Sequence, residues 1–220
     1  MTESVLTIDV YSDVICPWCY VGMRRLERAL QHVGDKANVE VSWRPFQLNP
    51  TMPREGVDRR AYLEAKFGTV EAYGQLEDQV SAVAAAEGMS FAFEKIARMP
   101  NTFLAHRVIW YAGQQRCQDA VVGSLFKGFF EEGADLGSPT VLTQLAERAG
   151  LKAETFLRGD EGTVDVQSEE AVSRRLGVRA VPYFVLNQAY GISGAQPAEV
   201  LVAAIEKVRM QESGASIAKR

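Results

Sequence analysis

The stretch Ile8–Leu30, IDVYSDVICPWCYVGMRRLERAL, sets Cys16 and Cys19 at a change of hydrophobic period. Leu6, Ile8 and Val10 alternate with Thr7 and Asp9, the period-two pattern of a strand with a buried face. Beyond Cys19 the apolar residues Met23, Leu26, Leu30 and Val33 recur at helical spacing. Arg24, Arg25, Glu27 and Arg28 occupy the other faces, and Gly34 is placed to cap the helix C-terminus. Val39, Val41 and Trp43 alternate again, so Leu6–Trp43 reads as strand, helix, strand, with both cysteines at the helix N-terminus. A helix N-terminus presents unpaired N–H groups and the positive end of the macrodipole, which favour negative charge on a sulfur at Cys16. A thiolate is the nucleophile of disulfide exchange. A second thiol one helical turn on, at Cys19, can then attack a mixed disulfide formed on Cys16.

Outward from this unit, strand signals nearly vanish between Asn49 and Leu157. Helical patterns replace them: Asp58–Phe67, Val70–Glu87 closed by Gly88, Thr102–Gln115 with Asn101 as N-cap, Gln118–Glu132, and Pro139–Ala149 with Ser138 as N-cap. Another helix, Glu161–Leu176, precedes the apolar run VPYFVL (Val181–Leu186), a turn at Asn187-Gln188 and a short strand at Tyr190–Ser193. Pro197 opens a last helix to about Met210, followed by a polar end. The order βαβ, helical block, αββα predicts an α/β chain, a thioredoxin fold with an inserted all-helical domain. Residues 1–48 and 158–212 make the discontinuous thioredoxin-fold domain in this reading, residues 49–157 the insert, and residues 213–220 a flexible tail.

The apolar content of 47% in 220 residues is ample for a buried core. The formal charge of −4 comes from 28 acidic and 24 basic residues spread along the chain, with no basic stripe, which argues against a nucleic-acid partner. The start, MTESVLTIDV, lacks the basic and apolar regions of a secretory signal, and no apolar run approaches the ~20 residues of a membrane span. The expectation is a cytoplasmic protein with no membrane association. Sequence leaves its oligomeric state open. In a reducing compartment a C-x-x-C pair points to redox or metal chemistry rather than a structural disulfide.

SDVICPWC, WRPFQLNP, NTFLAHR and GVRAVPYFVLNQAYGISGAQP together resemble the DsbA-like thioredoxin-fold family, specifically its FrnE-type cytoplasmic branch. The resemblance spans almost the whole chain. It implies dithiol–disulfide oxidoreductase or isomerase activity, with Cys16 as the exposed nucleophile, Cys19 as the resolving thiol, and Pro182 as a cis-proline after Val181. A redox-active Cys16–Cys19 disulfide would be the working group, with no bound cofactor and with glutathione as a possible co-substrate. Protein or small-molecule thiols and disulfides would be the partners. Trp18 stands where DsbA itself has a histidine, and the additional cysteine pair of some FrnE-type members is missing, which predicts weaker oxidising power.

Each assignment has a rival reading. Tetrahedral zinc wants about four ligands, and beyond the CPWC pair only Cys117, His32 and His106 remain, none in a second paired motif, so no metal is expected. Pro182 could be a trans residue opening a strand. His106, in NTFLAHR, is either a hydrogen-bonded structural histidine or a charge facing the thiols and substrate. His32, near the end of the first helix, suits the negative end of its dipole. Asp13 either bonds loop amides or accepts a proton from Cys19. Cys117, without a neighbouring thiol, reads as a bystander. Pro17 and Trp18 are expected to form substrate-binding surface, Trp18 with Tyr183 and Phe46 or else packed on the insert.

Two other functions compete with disulfide exchange. One is a glutathione-dependent transferase or isomerase, resembling the kappa-class transferases and hydroxychromene-carboxylate isomerases. Those relatives carry a single serine at the nucleophile position, so Cys19 argues against it. The other is a non-catalytic binding module or chaperone, which would survive loss of both thiols.

Overall fold

In the computed structural model, residues 5–34 and 38–218 are described, with side chains through Gln211. The first strand, β1 (Leu6–Ser12), buries Leu6, Ile8 and Val10 to at most 1% exposure, as the period-two pattern requires. It runs into α1 (Pro17–Val33), which ends at Gly34 with φ 64°, a left-handed value glycine adopts freely, and the Gly34 N–H donates to Leu30 O. The chain then returns as β2 (Val39–Pro45), parallel to β1.

The helical block follows: α2 (Arg59–Phe67), α3 (Val70–Ala86), α4 (Phe103–Gln114), α5 (Gln118–Phe130), α6 (Pro139–Arg148) and a short α7 (Glu154–Arg158). Two features of this block depart from expectation. Two-residue strands, β3 (Val57–Asp58) and β4 (Arg98–Met99), pair antiparallel inside it. They are too short to carry a periodic signal. Asn101 does not occupy the N-cap of α4: that position is Thr102, and the Asn101 carboxamide instead accepts from Phe103 N at 2.9 Å. Ser138 does cap α6, accepting from Val141 N at 3.4 Å.

After α8 (Thr163–Arg175), β5 (Tyr183–Leu186) and β6 (Tyr190–Ser193) form the closing hairpin. The loop between them is three residues, 187–189, in which Asn187 and Gln188 take left-handed φ values of 46° and 55° and Ala189 N donates to Leu186 O at 3.0 Å. The last helix, α9 (Ala198–Ala218), continues past the expected end near Met210, and residues 219–220 lie outside the described residues. The sheet order is β2-β1-β5-β6, with β5 antiparallel to β1, so the strands before and after the helical block make one sheet. This is the thioredoxin fold expected from the order of elements.

The block is tied to the sheet at its β2 edge. Trp43 N donates to Gln118 Oε1 at 2.8 Å, Gln118 Nε2 donates to Trp43 O at 3.2 Å, and Trp43 Nε1 donates to Asp119 Oδ1 at 2.6 Å. These side chains satisfy backbone groups that an edge strand would otherwise leave open to another chain. Tyr20 of α1 stacks on Phe126 of α5 at 5.1 Å between ring centres, and its hydroxyl donates to Glu131 at 2.8 Å. One hydrophobic core therefore runs from Leu6 and Leu26 through Phe126 and Phe130 to Leu142. No described helix is long and apolar enough to cross a membrane.

Candidate active site

The register of β1 against β5 decides where the site lies. Tyr11 pairs with Tyr183, so the loop leaving β1 and the loop entering β5 meet at one end of the sheet. The first loop ends at Cys16, with Cys19 in the first turn of α1 just beyond it, and the second carries Val181 and Pro182, whose peptide bond is cis. Cys16 is the N-cap of α1, with extended backbone (φ −91°, ψ 112°), and Pro17 follows at the first turn, where its missing N–H leaves no helical bond unmade. Cys16 N donates to Asp13 O at 3.0 Å, and Cys16 O accepts from Cys19 N at 3.0 Å. The Cys16 thiol faces Val181 O at 3.6 Å.

Both thiols are free in this structure. Sequence pointed to an exposed Cys16, but the residue is only 6% exposed, because the Val181–Pro182 loop and the start of α1 close over its flanks. Cys19 is fully buried. That burial pushes its thiol well above the ordinary range, and the adjacent Cys16 adds to the push. The Ser12 hydroxyl and the Asp13 backbone act in the opposite direction by bonding to the sulfur. Cys19 is thus a thiol that must be helped to ionise before it can attack.

Trp18 is 41% exposed. It lines a cavity of about 310 Å³ with Ile15, Pro17, Leu63, Phe67 and Phe129, between the CPWC turn and the helical block. Of the expected patch, Phe46 and Tyr183 do fall in one apolar cluster, with Tyr11 and Val178, whereas Trp18 lines the cavity instead. Phe46 is 5% exposed and lies under the Arg174 guanidinium. Pro182 is buried against Gly22, where a Cβ would lie 2.8 Å from Pro182 Cγ. Sequence gave no reason to single out Gly22, since a glycine inside a helical pattern signals only lower helix propensity.

His106 on α4 is 3% exposed, and its Nε2 lies 3.5 Å from Asp13 Oδ1. It faces Asp13 below the CPWC loop and not the cavity at Trp18. Asp13 is fully buried, and its other oxygen accepts from Leu48 N at 2.7 Å, the loop-amide role foreseen for it. His32 is exposed in the last turn of α1. Cys117, at the N-cap of α5, has its thiol 3.7 Å from Ala112 O and lies apart from the CPWC pair. Among the described residues, no group of three or more His, Cys, Asp or Glu side chains is placed to hold a metal ion.

The profile of the DSBA-like thioredoxin domain matches residues 7–206. A solved probable DsbA oxidoreductase from Streptomyces coelicolor is 35% identical, with a TM-score of 0.82 over 92% of this chain and 89% of that one. Two more distant structures share the fold. A 2-hydroxychromene-2-carboxylate isomerase is 17% identical, with a TM-score of 0.71 over 94% and 98% of the two chains. The cytosolic disulfide reductase DsbM from Pseudomonas aeruginosa is 16% identical, with a TM-score of 0.63 over 96% and 99%, and has also been solved with GSH.

Proposed function

We propose, from the premise that the chain belongs to the DSBA-like thioredoxin domain family, that it is a FrnE-type cytoplasmic thiol–disulfide oxidoreductase working as a reductase or isomerase. The observation that carries this reading is the pairing of two free thiols in the first turn of α1, with the Cys16 sulfur 3.6 Å from Val181 O. Cys16 thiolate attacks one sulfur of a substrate disulfide, and the other sulfur leaves as a thiolate. Cys19 then loses its proton and attacks Cys16 Sγ, which frees the reduced substrate and leaves a Cys16–Cys19 disulfide. Two equivalents of a low-molecular-weight thiol such as glutathione restore the dithiol, the first forming a mixed disulfide and the second displacing it, and the two leave joined as their disulfide. No bound cofactor or metal takes part.

Val181 and Pro182 receive the substrate chain beside Cys16, while Pro17 and Trp18 offer the apolar cavity to a neighbouring substrate side chain. Residues 1–48 and 158–212 act as the thioredoxin unit, and residues 49–157 supply the far wall of that cavity. The retained Cys19 favours exchange over a glutathione-dependent isomerase that uses one nucleophile. Incubating the reduced protein with insulin and, separately, with glutathione disulfide tests the reading. Insulin reduction that depends on Cys16 is expected. Glutathione turnover that persists without Cys19, with no insulin reduction, would overturn it.

A further inference from the structure

The cavity of about 310 Å³ beside the CPWC turn is mostly apolar. Ile15, Pro17 and Trp18 line it from the chain on both sides of Cys16, and Leu63, Val80 and Phe129 line it from α2, α3 and α5. Its size is at the small end for sites that hold a whole small molecule, which are apolar with a few placed polar groups. Phe67 and Leu76, which also line it, are 40% and 47% exposed, so an apolar occupant would cover side chains that water now touches. α2 buries only Leu63, and α3 only Val80 and Ala84, so these two walls are held by few apolar contacts and can yield to an occupant.

The polar groups of the cavity are unevenly matched. Arg59 and Glu77 both line it and neutralise each other as an ion pair, with the Arg59 guanidinium over the Phe93 ring. Lys66 has no such partner. Its ammonium donates to the Tyr62 hydroxyl at 2.8 Å and sits over the Tyr62 and Phe67 rings, and no carboxylate among the described residues pairs with it. The Tyr62 hydroxyl in turn donates to Asn49 Oδ1 at 2.9 Å, and Asn49 Nδ2 is buried with no acceptor. A cation and an orphaned amide donor thus share Tyr62 in an otherwise apolar cavity. A buried donor left unpaired is unfavourable, and a carboxylate would supply both the acceptor oxygens and the charge that the chain does not.

We propose that this cavity selects small disulfides with an apolar aryl or alkyl body that ends in a carboxylate, the body lying among Trp18, Leu63 and Phe129 and the carboxylate reaching Lys66 and Asn49. The assignment rests on the disulfide-exchange reading and names its substrate. An apolar side chain of a protein substrate would fill the walls but leave Lys66 and Asn49 without an acceptor. In the reaction, Cys16 thiolate attacks one substrate sulfur and the other half leaves as a thiolate. Cys19 then attacks Cys16 Sγ, and the second half leaves likewise. The substrate S–S bond is replaced by the Cys16–Cys19 bond, the dithiol has supplied two electrons, and its two protons end, through water, on the two released thiols.

The test compares bis(4-carboxyphenyl) disulfide, its bis-carboxamide, and dithiodiglycolate, which has the carboxylates without the apolar body. With each, the first release of thiolate reports attack by Cys16 and the second reports resolution by Cys19. First-release rates at low substrate are divided by the rate of free glutathione with the same compound, which removes intrinsic reactivity. The aryl carboxylate should exceed its amide by about 5-fold at low salt, the upper range for an ion pair at a partly exposed site. It should exceed dithiodiglycolate by at least about 10-fold, roughly the effect of burying two methylene groups. Lys66→Gln should bring the carboxylate-to-amide ratio close to one, and Lys66→Glu should invert it. In the parent protein, about 1 M salt should shrink the ratio without any substitution. A carboxylate no faster than the amide, a ratio that Lys66→Gln or high salt leaves intact, or dithiodiglycolate as fast as the aryl compound overturns the proposal, while insulin reduction then leaves the exchange reading standing. A protein that reduces neither insulin nor any of these compounds defeats the exchange reading and this inference together.

Discussion

Pro182 packs onto the bare face of Gly22, with Pro182 Cγ 2.8 Å from the point where a Cβ would stand. The contact seats the loop that faces Cys16 directly on the helix that carries Cys16. Gly22→Ala sets two effects against each other. Alanine is favoured over glycine in a helix by about 1 kcal/mol, whereas forcing a methyl into a packed contact costs about 1–3 kcal/mol. The contact should win. Denaturant titration is expected to register a loss of up to about 2 kcal/mol, with slower exchange as Val181 O is pushed from Cys16. Unchanged or increased stability would mean that the Pro182 loop yields freely.

The two thiols should separate in a trapping experiment. Cys19→Ser should accumulate a mixed disulfide with substrate on Cys16, because nothing remains to resolve it, and Cys16→Ser should accumulate none. Cys117→Ser should exchange at close to the parental rate, its thiol lying apart from the pair. Mass spectrometry of the trapped adducts checks all three, and equal trapping by both CPWC variants would reverse the assignment of roles.

Cys19 also predicts a pH dependence. Burial raises its ionisation above the ordinary thiol range, so at neutral pH the resolving thiol is almost wholly protonated. Because its thiolate is the attacking form, the resolving rate should climb through the alkaline range and should not level off at the ordinary thiol value of about 8.5. Rapid-mixing measurement of the second release between neutral and alkaline pH would reveal this. A plateau below the ordinary thiol value would contradict it.

The redox poise should be moderate. Pro17 and Trp18 place no cation between the cysteines, so the reduced form lacks the extra stabilisation that makes DsbA a strong oxidant. The expected potential lies between those of protein disulfide isomerase and thioredoxin, roughly −180 to −270 mV. Equilibration against glutathione measures it directly. A value near that of DsbA, about −120 mV, would point to another group stabilising the thiolate.

Glu87 couples α3 to the helix of the cysteines, accepting from Arg25 Nε at 2.7 Å and Arg28 Nη1 at 2.5 Å. Burial works to raise its carboxyl, but the two guanidinium groups outweigh this and hold it below the usual carboxylate range. A depressed carboxylate contributes stability above its unfolded value and loses that contribution as pH falls through the folded one. Glu87→Gln should therefore lower stability by about 1 kcal/mol at neutral pH. The gap to the parent should shrink as the pH drops below about 4, which denaturant titrations at both ends would record.

Much of this protein is local enough to be written in its sequence. Alternation in Leu6–Val10 and helical spacing from Met23 to Val33 follow from which faces must be buried, so β1, α1 and β2 and the position of the cysteines at a helix start were legible residue by residue. The hairpin after Pro182 was equally legible, because Asn187-Gln188 punctuates two apolar runs. Elements without a period of their own escaped: the five residues of α7 and the two-residue strands β3 and β4 exist through contacts their neighbours impose. The overlong reach of α9 escaped too, since the polar residues after Met210 carry no apolar stripe to announce a helix.

Sequence by itself determined the fold class and the place of the dithiol, because both rest on periodicities of a few residues and on the chemistry of a helix N-terminus. Only the tertiary structure decided what surrounds the dithiol. The register Tyr11 against Tyr183 sets Val181 beside Cys16. The docking of the helical block sets Trp18 on a cavity wall, away from Phe46. The packing of α4 brings His106 to Asp13 across 93 positions of chain, the difference of their numbers 106 and 13. Such pairings depend on long-range geometry, and no local pattern in a sequence encodes the distance between residues that only folding brings together.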